Sequence, residues 1–376
     1  MARRLLLTAL CAALINVTLI PAQTARCTTF SINREGAHVV GKNFDFLVGD
    51  AMLTVNKHGV AKTGIPGPQQ PFSPPGWTSR YGSITFNPWG REFPFSGINE
   101  AGLVISAMGL RKTEYPPCGN GPAVFMAQWV QYHLDRYATV KEVMKSAAEI
   151  RTCPPLDVTG GLHYLACDAS GACAAIEYLD GRPVFHTAAD LPQKLLTNSP
   201  YDECLRHLNR RTMPGYDNLR SIERFKTAAD MLKRYDPRKT TSAVDYAFSI
   251  LDAVKFGDYD EVDGVRIRSL IASEWSIVYD ISNRQINFHT FDDRAIRQVP
   301  LAAFDFSCSN PVKVLDIQRK LRGNVADKFI DYNAQHNRNF LEKVAKILPR
   351  ISDNMTEGVE RMARYPDETK CREDGE

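Results

Sequence analysis

The chain has 376 residues, of which 44% are hydrophobic and 24% are charged, and its formal net charge is +3. This composition is ordinary for a globular protein and excludes a collagen-like or largely disordered chain. Because the sequence carries neither a basic patch nor a polybasic tail, nothing indicates a nucleic-acid partner.

Residues 1–26 are predicted to be a signal peptide with a short propeptide, since basic Arg3 and Arg4 precede an apolar stretch, residues 5–20. The alternative is a single membrane anchor, but the stretch is short for a span and polar residues interrupt it. This segment contains three arginines and no acid, so its removal brings the formal charge from +3 to zero. We therefore expect a secreted or periplasmic protein that has no membrane contact after signal removal.

The rest of the chain predicts strands and helices in separate blocks. Segments rich in apolar and β-branched residues between turns predict strands at residues 27–32, 38–46, 82–86, 102–110, 162–168, 173–181, 274–282 and 285–291. Apolar residues at helical spacing predict helices at residues 123–137, 138–150, 221–235 and 242–254. Blocks of this kind predict an α+β domain with stacked antiparallel sheets and outer helices. We expect this domain at residues 27–310, with a helical C-terminal extension at residues 311–376 packed on it and a polar end of disordered composition.

The cysteines suit an exported protein, in which some of them should pair. Apart from Cys27, seven cysteines follow the predicted signal, and an odd number leaves at least one free or paired between chains. Cys167 and Cys173 flank a turn and are the most favoured disulfide, with two buried thiols as the alternative. No cysteine or histidine spacing suits zinc, so neither a metal nor another cofactor is expected.

Cys27 follows the predicted signal directly. If cleavage exposes it, one residue carries both a thiol and a free α-amino group. An α-amine has a pKa of about 8 and can act as a base near neutral pH. It can therefore take the thiol proton and later return a proton to a leaving amine, so no histidine is needed. By position alone, a structural cysteine or a fortuitous site is the better interpretation.

Several motifs resemble the choloylglycine hydrolase family of N-terminal-nucleophile hydrolases, which includes bile salt hydrolases and penicillin V acylases. Residues 27–46, CTTFSINREGAHVVGKNFDF, resemble the opening of its mature chains. The family's later motifs are matched in order by SGINEAGLVISAMGL, LHYLACDASGACAAIEYLDG, LLTNSPYDECLRHL, SIERFKTAA and EWSIVYDISNRQINFHT. The resemblance covers about residues 27–295 and implies a four-layer αββα sandwich with two stacked antiparallel sheets.

The resemblance also implies roles for four residues. Cys27 would be the nucleophile and, through its amine, the base, and Asp45 would accept a hydrogen bond from that amine. Asn198 would donate its side-chain amide to the oxyanion of the tetrahedral intermediate. Arg224 would place a cation near the thiolate. The structural alternatives are a turn carboxylate for Asp45, a turn residue for Asn198 and a solvated helix arginine for Arg224.

Two positions depart from the family pattern. Lys42 replaces the family's arginine, which keeps the charge but loses the bidentate fork. We include it among the catalytic candidates, with a solvent-exposed strand lysine as the alternative. Gly109 stands where bile salt hydrolases and penicillin V acylases have a polar or aromatic side chain. With its neighbour Met108, it is a candidate for the oxyanion or substrate site, where it would offer only a backbone N–H.

These residues predict a hydrolase of linear, non-peptide amide bonds that acts through a thioester acyl-enzyme. The expected partner is a small N-acyl amide, such as a conjugated bile salt, penicillin V, an acyl-homoserine lactone or an N-acyl amino acid. The alternatives are an acyltransferase to an amine acceptor and a catalytically inactive binding protein with the same fold. A homodimer or a homotetramer is expected.

Overall fold

The computed structural model describes residues 26–66, 72–119, 121–154, 161–208, 219–240, 242–257, 259–262, 265–269, 271–347 and 353–372. Residues 1–25, which hold nearly all of the predicted signal peptide, lie outside the described residues. The last part of the predicted polar end, residues 373–376, lies outside them as well.

Strands dominate the described residues. In chain order they are β1 Thr28–Arg34, β2 Ala37–Phe46, β3 Met52–Asn56, β4 Val60–Thr63, β5 Gly76–Thr78, β6 Ser83–Asn87, β7 Ser96–Asn99, β8 Val104–Leu110, β9 Ala123–Phe125, β10 Arg151–Cys153, β11 Gly161–Cys167, β12 Cys173–Leu179, β13 Arg182–Thr187, β14 Leu195–Leu196, β15 Tyr259–Val262, β16 Val265–Arg268, β17 Ala272–Asp280, β18 Gln285–Thr290, β19 Arg297–Pro300, β20 Lys313–Asp316, β21 Gly323–Asn324, β22 Ile330–Asp331 and β23 Lys370–Cys371. The α-helices are α1 Trp129–Arg136, α2 Val140–Glu149, α3 Tyr201–Leu208, α4 Leu219–Arg234, α5 Ala243–Ala253, α6 Ala334–Ile347 and α7 Asp353–Glu368.

Two large sheets contain most of these strands. The first has the order β14-β1-β2-β17-β18-β19-β21, and the second has the order β13-β12-β11-β8-β7-β6-β3-β20-β22. Neighbouring strands pair antiparallel, apart from β19 and β21 in the first sheet. The hairpin of β1 and β2 turns through Glu35 and Gly36, whose φ angles of 48° and 84° suit a tight turn of matching twist.

Helices cover the outer face of each sheet. Helix α5 packs on β2 and β17, and α4 packs on β1 and β14 of the first sheet. Helices α1 and α2 pack on the second sheet. A capping box at Thr139 and Glu142 begins α2 and satisfies backbone donors at its first turn. The predicted four-layer αββα sandwich is therefore confirmed.

The main core fills the space between the two sheets. Phe30 and Val40 of the first sheet share one buried cluster with Ile84, Met108 and Leu165 of the second. Aromatic rings meet across the layers, as where Phe86 packs edge-on against Phe288 at 5.5 Å between ring centroids. Cys27 belongs to the same buried cluster, so the predicted nucleophile lies at the level of the core.

Two segments differ from the elements predicted for them. The helix predicted at residues 123–137 begins only at Trp129, because Ala123–Phe125 pairs with Arg151–Cys153 as a parallel strand. The extension predicted as helical from residue 311 begins instead with β20, which pairs with β3 at the edge of the second sheet. Helices α6 and α7 follow, so the extension completes the sheet before it becomes helical.

Three disulfides join described cysteines. The predicted Cys167–Cys173 bond is confirmed, and it closes the turn between β11 and β12. The others are Cys118–Cys153 and Cys308–Cys371, the second of which ties β23 to the loop before β20. Cys27 and Cys204 are both free and buried.

No helix among the described residues is long and apolar enough to cross a membrane. Within the same residues, no three His, Cys, Asp or Glu side chains come together in a way that could hold a metal ion.

Candidate active site

Cys27 stands immediately before β1 and is completely buried. The Arg224 guanidinium donates a hydrogen bond of 2.7 Å to its carbonyl oxygen. On its other side, the backbone N–H of Arg26 donates to the carbonyl of Asp45 at 2.9 Å. These bonds fix the backbone on both sides of the bond that cleavage before Cys27 would break.

Asp45 lies near the end of β2 and is also fully buried. Its Oδ1 accepts a hydrogen bond of 2.6 Å from Ser273, whereas among the described residues its Oδ2 has no hydrogen-bond partner. The Arg224 guanidinium is 3.8 Å from that Oδ2. Burial raises the pKa of Asp45 to about 6, although Arg224 and Ser273 act in the opposite direction. The turn-carboxylate alternative fails, because Asp45 lies within β2 and its carboxylate is beside the Arg224 cation.

Arg224 on α4 connects the predicted site residues. It donates to the Cys27 carbonyl, to the Thr28 hydroxyl at 2.6 Å and to Oδ1 of Asn198 at 2.8 Å. Burial lowers the pKa of this guanidinium below its ordinary value, while Asp45 acts to raise it. Arg224 is thus a buried, bonded cation, and the solvated-helix alternative is wrong.

Asn198 follows β14 and lies between β8 and α4. Its Nδ2 donates to the carbonyl of Gly109 at 2.7 Å, and its backbone N–H donates to the Ser221 hydroxyl at 3.0 Å. Because Arg224 donates to its Oδ1, the orientation of the amide is determined and Nδ2 is its donor end. The side chain is therefore held as a donor, as an oxyanion ligand must be.

Lys42 is completely buried, so the alternative of a solvent-exposed lysine is wrong. It lies on β2, and its Nζ crosses to the second sheet to donate to the Ala107 carbonyl at 2.5 Å. Burial lowers the pKa of Lys42 to about 8, although negative charge on Cys27 or Asp45 would raise it. An ammonium that can lose its proton near neutral pH therefore lies beside the predicted nucleophile.

The last carbonyl groups of β8 accept hydrogen bonds from Lys42 and Asn198, because the neighbouring strand β7 does not extend along this part of β8. Ser96, the first residue of β7, pairs with Ser106. The next carbonyls on that side of β8, at Ala107 and Gly109, accept from Lys42 and Asn198. Gly109 thus meets the site through its carbonyl, whereas its N–H was the predicted contact. Met108 between them is fully buried in the same core cluster as Cys27, and its place at the substrate site stays a prediction.

Opposing effects set the reactivity of the Cys27 thiol. Burial raises its pKa, and the charge of Lys42 is the strongest influence in the other direction. Arg224 also lowers the pKa, while Asp45 raises it. A buried thiol of this kind needs a neighbouring base and nearby cations to form a thiolate.

Ser273 was not among the predicted site residues. Its hydroxyl donates to Asp45, and it lies opposite Asp45 on β17, next to an irregularity in the strand pairing. A serine in a strand carries no local signal of this partnership, because Asp45 lies more than two hundred positions earlier in the chain.

A second group supports the Asn198 segment from behind. His163 bridges the Glu177 carboxylate at 3.0 Å and the carbonyl of Thr197 at 2.7 Å. Burial alone would raise the pKa of Glu177, but hydrogen bonds from His163 and His186 lower it to about 2. The sequence offers one signal of this group: a histidine in β11 and a glutamate in β12, two otherwise apolar strands.

The chain is similar to known amide hydrolases. Over 189 residues it is 32% identical to a penicillin V acylase of Pectobacterium atrosepticum. The matched region covers 45% of this chain and 49% of that protein. The chain thus spans about half the length of this curated relative. No protein-family profile matches the chain.

Solved structures share its fold. The penicillin V acylase of Agrobacterium tumefaciens matches with a TM-score of 0.63 and 24% identity, over 82% of this chain and 98% of that one. A variant of the conjugated bile acid hydrolase of Clostridium perfringens matches with a TM-score of 0.62 and 14% identity, over 79% of this chain and 98% of that one. The predicted resemblance to the choloylglycine hydrolase family is confirmed.

Proposed function

We propose that this protein is a secreted or periplasmic hydrolase of linear amide bonds in small N-acyl compounds, with Cys27 as the first residue of its mature chain. The observation that carries the proposal is that Asp45 and Arg224 both bond to the backbone around Cys27, while Arg224 also holds Asn198. The similarity to penicillin V acylases supports the reaction class. Export is supported by three disulfides, which persist in oxidising compartments.

In this proposal the free α-amine of Cys27 takes the thiol proton, and the thiolate attacks the carbonyl carbon of the amide. The carbonyl oxygen becomes an oxyanion that accepts a hydrogen bond from the Asn198 amide. As the C–N bond breaks, the Cys27 ammonium returns the proton to the leaving amine, which leaves a thioester on Sγ. A water molecule, deprotonated by the same amine, then attacks the thioester, releases the acid and restores the thiol.

The other residues hold the charges that these steps require. In this proposal Asp45, fixed by Ser273, accepts a hydrogen bond from the Cys27 amine and orients it. Lys42 and Arg224 favour the thiolate, since both cations lower the pKa of the thiol. Lys42 also disfavours a second positive charge on the amine, which helps to keep the amine available as a base.

A substrate panel tests the proposal. Penicillin V, conjugated bile salts, acyl-homoserine lactones and N-acyl amino acids would be incubated with protein whose chain begins at Cys27, and the released amine would be measured. We expect at least one class to be hydrolysed, Cys27→Ala to abolish turnover and Cys27→Ser to leave little. An added amine acceptor distinguishes an acyltransferase, because the product would then be a new amide rather than the free acid.

Cys204, the second buried free thiol among the described residues, provides a matched control. Burial raises the pKa of Cys204 to about 12, and its sulfur contacts Thr197 and Ser199. We expect Cys204→Ala to keep the activity of the folded enzyme. If Cys27→Ala also kept it, or if no panel compound were hydrolysed, the proposed function would be wrong.

A further inference from the structure

A single carboxylate, that of Glu177 on β12, holds both ends of the loop that carries Asn198. Its two oxygens each lie 3.2 Å from the backbone nitrogen of Tyr201, which begins α3. Its Oε1 is also 3.0 Å from Nδ1 of His163, and Nε2 of the same ring is 2.7 Å from the carbonyl oxygen of Thr197. Asn198 therefore lies between two backbone positions, Thr197 and Tyr201, that depend on one carboxylate.

The partners of His163 determine which of its nitrogens carry protons. A carbonyl oxygen only accepts hydrogen bonds, so Nε2 must be protonated to bond to Thr197. Burial raises the pKa of Glu177, but hydrogen bonds from His163 and His186 lower it to about 2. The Glu177 carboxylate is thus ionised at neutral pH and is an acceptor as well, so Nδ1 must also be protonated. A ring with protons on both nitrogens is an imidazolium cation.

Further titratable side chains near this pair come from β13 and α3. His186 on β13 lies 3.4 Å from Oε2 of Glu177 and 3.8 Å from the carboxylate of Asp202 on α3. Cys204, also on α3, has a pKa raised by burial to about 12, so it is an uncharged thiol at neutral pH. His163 and Glu177 are completely buried, and buried charges are paired and hydrogen-bonded in proteins. Glu177 therefore stabilises the positive charge on His163.

We infer that His163, as a buried imidazolium paired with Glu177, positions Asn198 for the oxyanion. This inference rests on the proposed function. Asn198 follows Thr197 directly, so His163 fixes the backbone of this segment while Arg224 fixes the side-chain amide. A neutral imidazole donates from only one nitrogen, so it would lose the bond to Thr197 or the bond to Glu177. Both bonds are needed because an oxyanion donor is effective only when its position is set in advance.

Two substitutions of His163 separate its two hydrogen bonds. His163→Asn places an amide near the position of Nδ1 and keeps a donor for Glu177. His163→Gln reaches the position of Nε2 and keeps a donor for Thr197. On the best panel substrate, we expect His163→Asn to lower kcat by up to about 10²-fold with nearly unchanged KM, since a misplaced catalytic group can cost that much. His163→Gln should recover most of this loss.

His133→Asn is the matched control. His133 on α1 is also completely buried, but its Nδ1 bonds to the Trp129 carbonyl at 2.8 Å, and among the described residues its Nε2 has no hydrogen-bond partner. Burial lowers the pKa of His133 to about 3, so this ring is neutral. The control variant should lose stability but keep kcat. An unchanged kcat in folded His163→Asn, or an equal fall in His133→Asn, would overturn the positioning role.

NMR of the wild-type enzyme, labelled with nitrogen-15 histidine, tests the charge of His163 without a substitution. At pH 8 a histidine with the ordinary pKa of about 6.5 is neutral and has one bare nitrogen. We expect two protonated nitrogens for His163 and one for His133, with each ring assigned through neighbouring backbone protons. Glu177→Gln should convert His163 to the form with one proton. A bare nitrogen on His163 in the wild type at pH 8 would overturn the imidazolium.

Failure of this inference is distinguishable from failure of the proposed function. A wild type that hydrolyses a panel compound, with kcat unaffected in His163→Asn, would uphold the function and overturn the positioning role. A wild type that hydrolyses no panel compound would overturn the proposed function and, with it, the positioning role. The NMR measurement would still decide the charge of His163.

Discussion

Lys42 and Lys62 are both buried lysines on strands, but their surroundings are opposite. Lys62 on β4 lies 2.6 Å from Glu92 and 2.9 Å from Asp135, and Trp77 donates to Asp135 at 2.8 Å. Burial alone would lower the pKa of Lys62, but the two carboxylates raise it above its ordinary value. Lys42 donates to a carbonyl instead, and its pKa is lowered to about 8.

The difference shows how buried charge can serve structure or chemistry. The Lys62 ammonium is paired, so it keeps its charge, and its ion pairs join β4 to α1. Around Lys42, the charges are buried with fewer direct partners, and the pKa of Asp45 moves upward while that of Lys42 moves downward. Shifts of this kind in neighbouring groups are typical of functional sites.

The largest expected effect comes from breaking the paired group. Lys62→Met leaves Asp135 buried without its cation and Glu92 with only Arg91, at 3.5 Å, which should cost about 3–5 kcal/mol of unfolding free energy. The measurement is the denaturant midpoint of the purified variant. Lys42→Met is the comparison, and we expect it to lose less stability but more activity. Equal losses of stability for the two variants would contradict the distinction between the two lysines.

Asn198→Ala tests the chemical side of the comparison. Loss of an oxyanion donor should lower kcat about 10²–10³-fold, or about 2.7–4 kcal/mol. Ser221→Ala is the control for positioning, since it removes only the hydroxyl that accepts from the Asn198 backbone, and we expect a much smaller effect on kcat. A loss confined to KM in Asn198→Ala would mark a binding residue.

A smaller effect should appear in the pH dependence of the reaction. The Asp45 carboxylate is ionised above about pH 6 and the Lys42 ammonium is charged below about pH 8, so turnover should be highest between them. At pH 9, one unit above its pKa, about one tenth of Lys42 keeps its charge. An arginine stays charged there, so Lys42→Arg should turn over up to about tenfold faster than the wild type at pH 9. If the rates of the two proteins fall in the same way above pH 8, Lys42 is not the cation whose loss of charge limits turnover.

The sequence allowed prediction of the sandwich and of the residues that meet at Cys27, because ordered motifs mark their positions along the chain. It could not show which partners those residues find across strands. Ser273 reaches Asp45 through the register of β17 and β2, and His163 reaches Thr197 through the contact between β11 and the segment after β14. The helix predicted from residue 123 failed for the same reason, since the partner of Ala123–Phe125 lies beyond two helices.

Gly109 shows the limit of transferring a role by position. The alternation of side chains along β8 places Met108 in the core and turns the Gly109 carbonyl toward Asn198. With no side chain at Gly109, a backbone oxygen orients the amide that the proposal assigns to the oxyanion.

The central claim is that the α-amine of Cys27 is the catalytic base, and the N-terminus of the active protein tests it most directly. Two preparations would be compared, one in which the chain begins at Cys27 and one in which Arg26 is retained, with the N-terminal peptide of each identified by mass spectrometry. The account predicts that hydrolysis of the best panel substrate follows the fraction of chains that begin at Cys27. A preparation whose chains all retain Arg26, yet turn over at the same rate, would contradict it.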